Sequence, residues 1–129
     1  MKKLTVIAAI AAATIFFSTQ AYADLAKDEE TCASTAAQGV TPDMVITGCN
    51  SVIQDGTGGP SVLAGAYYNR GNANYDKKDF PHAIADYDHA LLLKPKYPTA
   101  MFNRGLAKLR SGDKAGGDAD IAASKAMGN

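Results

Sequence analysis

The stretch that decides the fold is Ala64-Gly-Ala-Tyr-Tyr-Asn-Arg-Gly-Asn-Ala-Asn-Tyr75, because its centre, Asn69-Arg70-Gly71, returns as Asn103-Arg104-Gly105. At the same offset Asp79 meets Asp113, Ala85 meets Ala119 and Asp86 meets Asp120. Ala64, Tyr67, Tyr68 and Ala73 meet Pro98, Met101, Phe102 and Ala107, so residue class is kept where identity is not. Self-similarity at a fixed period of this size marks a chain built from stacked units. Inside the unit the spacing is helical. Ala64, Tyr67, Tyr68, Gly71 and Tyr75 recur at intervals of three and four, the period of one helix face. Asp79 is placed to cap a second run in which Phe80, Ala83, Ile84, Tyr87, Ala90 and Leu91 follow the same rule. Pro95 ends that helix. Pro98 opens the next, since a first turn does not need the N–H that proline lacks.

Helix, tight turn, helix and proline in a unit of about 34 residues resemble the tetratricopeptide repeat. Two such units cover residues 64–127. The first unit supplies Tyr67, Arg70-Gly71, Tyr75 one place late, then Ala83, Tyr87 and Pro95. Its departures are Arg70 for a leucine and Asn74 where a tyrosine is expected. In the second unit Gly105 fits, whereas Gly117, Ile121 and Ser124 replace an alanine, an aromatic and an alanine, and no closing proline follows. The small residues carry the physical content. Gly71 and Ala83 fall where the two helices of a hairpin touch, and Ala90 lets the next unit approach. The fold implied is all-α, a short right-handed helical-hairpin solenoid.

Working outward, Val45 to Ile53 resembles Ala83 to Leu91, with Cys49 in the place of Tyr87. Thr41 is a candidate cap, with Pro42 in the first turn. This reads as a half-repeat, preceded by a lead helix expected over Leu25 to Ala37. The stretch Asp55-Gly-Thr-Gly-Gly-Pro60 is turn chemistry, a hinge before the repeats. The expected organisation is therefore residues 1–23 as a leader, 24–60 as a lead and half-repeat, 61–97 as the first unit, and 98–129 as the second unit with a C-terminal cap. About three units are normally needed for a stable stack, and two repeats plus a stapled half-unit reach that minimum. The last helix, Asp113 to Met127, is mostly alanine, glycine, aspartate and lysine, a composition suited to a polar cap.

The leader follows from Met1-Lys2-Lys3, then the apolar run from Leu4 to Phe17, then Ala21-Tyr22-Ala23 before Asp24. That order is the three-part secretory pattern, ending in a small-x-small cleavage site at Ala21, Ala23 and Asp24. The run is shorter than the roughly 18 to 20 apolar residues a membrane span needs, so no membrane insertion is expected once the leader is removed. The expected location is the periplasm, or the exterior of a cell without an outer membrane. The cysteine-bearing lead followed by two repeats is similar to small exported repeat proteins of Gram-negative bacteria.

Processing changes the charge. The whole chain has 13 basic and 13 acidic residues. After cleavage, residues 24–60 keep Lys27 against Asp24, Asp28, Glu29, Glu30, Asp43 and Asp55, while residues 94–125 carry seven basic residues against Asp113, Asp118 and Asp120. No block of like charge suggests a nucleic-acid partner. In an oxidising compartment the even pair Cys32 and Cys49, without C-x-x-C spacing, points to a structural disulfide. Two buried thiols serving as small apolar side chains are the alternative.

No catalytic constellation emerges. His82, Asp86 and His89 lie at i, i+4 and i+7, but the outer two are about 10 Å apart along a helix axis, too far to share one metal ion. Gly56-Thr57-Gly58-Gly59 lacks the following Lys-Ser/Thr of a phosphate loop. The expectation is a non-enzyme without metal or cofactor. The resemblance implies instead a concave groove lined by the first helix of each unit, holding an extended peptide or a partner helix. Carried onto this chain, the groove comprises Tyr68, Asn69, Asn72, Tyr75 and Asp76, with Phe102, Asn103, Leu106 and Arg110. Asn69 and Asn103 stand where related repeats place an asparagine that bonds a peptide backbone, since an amide both donates and accepts. Arg70 and Arg104 are expected to brace neighbouring helices or to bind a carboxylate. The partner is an unidentified protein or peptide, or the chain itself in a self-assembling structural role.

Overall fold

In a computed structural model, which describes residues 19–34 and 38–128, the chain is a series of helices with no strand among the described residues. Helix α1 runs over residues 19–33. Then come α2 (Pro42–Asp55), α3 (Gly59–Asp76), α4 (Phe80–Leu93), α5 (Pro98–Ser111) and α6 (Lys114–Ala126). The apolar leader run, Leu4 to Phe17, lies outside the described residues. Ala21, Ala23 and Asp24 are exposed residues of α1. Among the described residues no helix is long and apolar enough to cross a membrane.

The helix starts are those the capping residues dictate. Thr41 accepts from the Met44 N–H at 3.3 Å, Asp79 from the His82 N–H at 3.3 Å, and Asp113 from the Gly116 N–H at 2.9 Å. Prolines sit in the first turn of α2, α3, α4 and α5, where no donor is lost. Two expected limits are corrected. Helix α3 begins at Gly59, so the turn stretch 55–60 gives its last two residues to the helix, with Pro60 pre-set for the first turn. Helix α1 ends at residue 33 instead of Ala37. Thr31 and Ser34 donate their hydroxyls back to the Lys27 and Glu30 carbonyls, a local competition that weakens continuation of the helix. Residues 35–37 lie outside the described residues.

The helices pack in sequence, α2 on α3, α3 on α4, α4 on α5 and α5 on α6. Small residues set the close approaches. A Cβ on Gly71 would fall 2.8 Å from Tyr87 Cε1. One on Gly105 would fall 2.9 Å from the Gly117 carbonyl, and one on Gly117 would fall 2.8 Å from the Gly105 carbonyl. The α5–α6 hairpin is thus a backbone-to-backbone contact of two glycines, where α3–α4 uses Gly71 against an aromatic ring.

The lead repeats this device. A Cβ on Gly48 of α2 would fall 2.7 Å from the Asp28 carbonyl of α1. Beside it, Cys32 and Cys49 are joined in a disulfide with Cα atoms 4.6 Å apart, as expected of the even pair. Both are buried and form a core with Val45, Val52, Ala66 and Ala73, which unites α1, α2 and α3. A second core of Ala83, Tyr87 and Ala107 joins α4 to α5, with Tyr68 and Tyr75 of α3 packed against it.

Candidate functional site

Each repeat carries the same electrostatic clip. Arg70 on α3 donates from Nε and Nη2 to the Asp86 carboxylate on α4, the shorter contact being 2.6 Å, and from Nη1 to Asn50 Oδ1 on α2 at 2.6 Å. Asn74, one turn beyond Arg70, also donates to Asp86 at 2.9 Å. One repeat later, Arg104 donates to Asp120 at 2.7 and 2.6 Å and to Asp88 on α4 at 2.6 Å, with Lys108 reaching Asp120 at 2.9 Å. One guanidinium therefore ties three helices, its own and those before and after it. The planar fork suits this task, since two N–H groups match one carboxylate while a third points away. Of the two expected roles for Arg70 and Arg104, the structure shows the brace.

The first clip also reaches α2. Asn50 accepts from Arg70 as Asp88 accepts from Arg104, so α2 occupies the place of a second helix of a unit. Burial opposes ionisation of Asp120, but hydrogen bonds from Arg104 and Lys108 outweigh it and hold the carboxyl below its ordinary pKa. The Asp120 hydrogen bond in turn raises the Arg104 pKa.

The opposite side of α3 and α5 forms a cleft of about 230 Å³, lined by Asn72, Tyr75, Asp76, Tyr87, Asn103 and Leu106. Its floor is a polar network. The Tyr87 hydroxyl donates to Asn72 Oδ1 at 2.8 Å, and the Asn103 amide donates to the same oxygen at 2.9 Å and to the Tyr68 hydroxyl at 3.2 Å. Burial, followed by the fields of Tyr68 and Asp76, pushes the Tyr87 hydroxyl well above the ordinary tyrosine pKa, so it stays a neutral donor. Tyr75 packs edge-on against Phe80 with ring centroids 5.4 Å apart, and Tyr68 lies 5.0 Å from Tyr97.

Of the expected groove residues, the structure brings Asn72, Tyr75, Asp76, Asn103 and Leu106 to one cleft. Tyr68 lies beneath it as a hydrogen-bond partner of Asn103. Asn69 and Phe102 are half-buried and Arg110 is exposed, and none of the three lines the cleft. The reason is the stagger of successive units. Asn103 meets Asn72, one turn beyond its own counterpart Asn69. Tyr87, placed by the sequence on the periodic face of α4, is the lining residue absent from the expected groove set. It does pack, being 1% exposed, yet its hydroxyl closes the cleft floor.

The three residues weighed as metal ligands go separate ways. His82 Nδ1 lies 2.8 Å from Asp79 Oδ2, His89 stacks on Tyr67 at 4.8 Å between ring centroids, and Asp86 is buried against Arg70.

Residues 71–112, from the glycine of the first clip to the turn before α6, match the family model of the TPR repeat. That segment is a TPR repeat. The TPR match spans the end of α3 and all of α4 and α5, and so includes every residue that lines the cleft. A search of curated proteins finds no match to the chain. A TPR unit is a protein–protein interaction module, and its fold is typically non-catalytic.

Proposed function

We propose that this chain is an exported, non-catalytic binding module that holds an extended segment of a protein partner in the cleft between α3 and α5. The observation that carries the reading is the convergence of Asn72, Tyr75, Asp76, Asn103 and Leu106, from the first helices of two successive repeats, on one surface depression. Aromatic and aliphatic walls supply contact area, and amides supply orientation. Repeat solenoids use extended concave faces of this kind for binding. The periplasm is the location that fits the leader and a disulfide buried in the core.

The C-terminal end supports a binder over a self-stacking filament. Ala122 and Lys125 stand where α4 has Asp88 and Leu91, so α6 offers no carboxylate to a further arginine clip at that place.

The reading is tested with Leu106→Glu, which places a charge on the cleft wall. Capture of partners from an envelope extract, identified by mass spectrometry, is expected to fall while the helical circular dichroism stays native. Unchanged capture overturns the groove. Export is tested by fractionation and N-terminal sequencing, with a mature chain beginning at Asp24 expected and an uncut cytoplasmic chain overturning it.

A further inference from the structure

Resting on the binding-module reading, the charge of the cleft narrows what it holds. Among the residues lining it, Asp76 alone is charged. The carboxylate sits at the last residue of α3, is exposed, and has no hydrogen-bond or ion-pair partner among the described residues. From α3 onward that isolation is unusual, since Asp113 caps α6, although Asp28, Glu29 and Glu30 of α1 also lack an ion pair among the described residues. Asp43, Asp79, Asp86, Asp88, Asp118 and Asp120 are each engaged by a lysine, an arginine or a histidine. The equivalent position on α5 is Arg110, which does not line the cleft and so supplies no cation to it. Asp76 lines the same cleft as the buried Tyr87 hydroxyl, and its charge adds to the rise in that hydroxyl's pKa.

We propose that the cleft is an anchor pocket for a lysine or arginine side chain of the partner segment. The aliphatic stem lies along Leu106 and the Tyr75 ring, and the cationic head meets the Asp76 carboxylate at the rim. Three observations fit this chemistry. The cavity, at about 230 Å³, is below the roughly 300 Å³ at which small-molecule sites begin, and suits one long side chain. A tyrosine face attracts a cation, and a long basic side chain buries its methylenes while keeping its charge near water. A carboxylate ligand, the opposite choice, meets only the like charge of Asp76 and no lining cation.

The test uses acetylated and amidated pentapeptides Gly-Ser-X-Ser-Gly, with X as lysine, arginine, norleucine or glutamate. They are titrated into the isotopically labelled whole chain and followed by amide chemical shifts. The lysine and arginine peptides are expected to shift Asn72, Tyr75, Asp76, Asn103 and Leu106, and to bind roughly tenfold tighter than the norleucine peptide at low salt. Asp76→Asn is expected to abolish that advantage, and Asp76→Lys to transfer it to the glutamate peptide. Norleucine or glutamate peptides that bind the wild-type cleft as tightly overturn the cation preference and leave the groove standing. No shift with any of the four overturns it as well, and capture by Leu106→Glu then judges the groove independently.

Discussion

Arg104 and Asp120 form a two-pronged ion pair across the α5–α6 hairpin, with N–O distances of 2.7 and 2.6 Å. It is the translated copy of Arg70 and Asp86, and each arginine spends its remaining Nη on the second helix of the preceding unit. The period of the sequence repeat is thus also the period of an electrostatic joint. Hydrophobic contact in a stack of alanines and glycines is thin, and the clip adds direction to it. A shifted register would leave a mostly buried carboxylate without its fork.

Asp120→Asn is expected to cost roughly 1–3 kcal/mol, because the side chains of Arg104 and Asp120 are only 19% and 11% exposed and the arginine keeps Asp88 but loses its two-pronged partner. The pH dependence has a definite sign. The folded pKa of Asp120 is depressed, so its stabilisation is full above the unfolded value near 3.9 and is lost as pH falls through the folded value. Urea midpoints at neutral and acid pH are expected to differ less for Asp120→Asn than for the wild type. Equal differences would show that the pair adds nothing to acid stability.

Gly71 and Gly65 lie on the same helix and make opposite forecasts. A Cβ at Gly71 would sit 2.8 Å from the Tyr87 ring, whereas one at Gly65 meets nothing within 4 Å. Gly71→Ala is expected to destabilise by roughly 1–3 kcal/mol through overpacking. Gly65→Ala is expected to stabilise by roughly 0.5–1 kcal/mol, since alanine loses less backbone entropy in a helix. Thermal melts of the two single variants measure both, and a stabilising Gly71→Ala would show that Tyr87 yields freely.

The repeat was legible because Asn-Arg-Gly returns with its helix caps, and those caps fix where α4 and α6 start. The brace by Arg70 and Arg104 was legible as one of two roles, but its acceptors Asn50 and Asp88 were not. They come from the preceding hairpin, and nothing local to either arginine names them. The cleft was half legible for a related reason. Translation by one repeat pairs Asn69 with Asn103, while packing staggers the units and brings Asn103 to Asn72. Tyr87 shows the remaining limit, since one side chain serves both as core and as the floor of a site.

Lys78 is a non-glycine residue at φ 63°, and its counterpart in the next repeat is Gly112 at φ 95°. Both end a first helix with the same bonds, from Asp79 N to Asn74 O and from Asp113 N to Lys108 O, each 2.9 Å. The left-handed region costs a side-chain-bearing residue roughly 1 kcal/mol. Lys78→Gly is therefore expected to raise the urea midpoint, and Gly112→Lys to lower it. A lowered midpoint for Lys78→Gly would mean that the lysine side chain makes a compensating contact.

The Cys32–Cys49 disulfide closes a loop with a sequence separation of 17, and such a loop restricts the unfolded chain by roughly 3 kcal/mol in the entropy model. Cys49 is 0% exposed and Cys32 is 4% exposed, so a reductant reaches the bond only after the lead has opened. Substitution is the cleaner test. Cys32→Ala with Cys49→Ala is expected to lower stability by about 3 kcal/mol, the cross-link accounting for most of it and lost core volume for the rest. The loss belongs at one end, because the core containing the pair joins α1 and α2 to α3, whereas Tyr87 and Ala107 centre a separate one. Hydrogen exchange is expected to show α1 and α2 losing protection first while α4 and α5 keep theirs. Uniform loss along the chain would instead mean that the stack unfolds as a single cooperative unit, and an unchanged urea midpoint would show that the disulfide adds no stability.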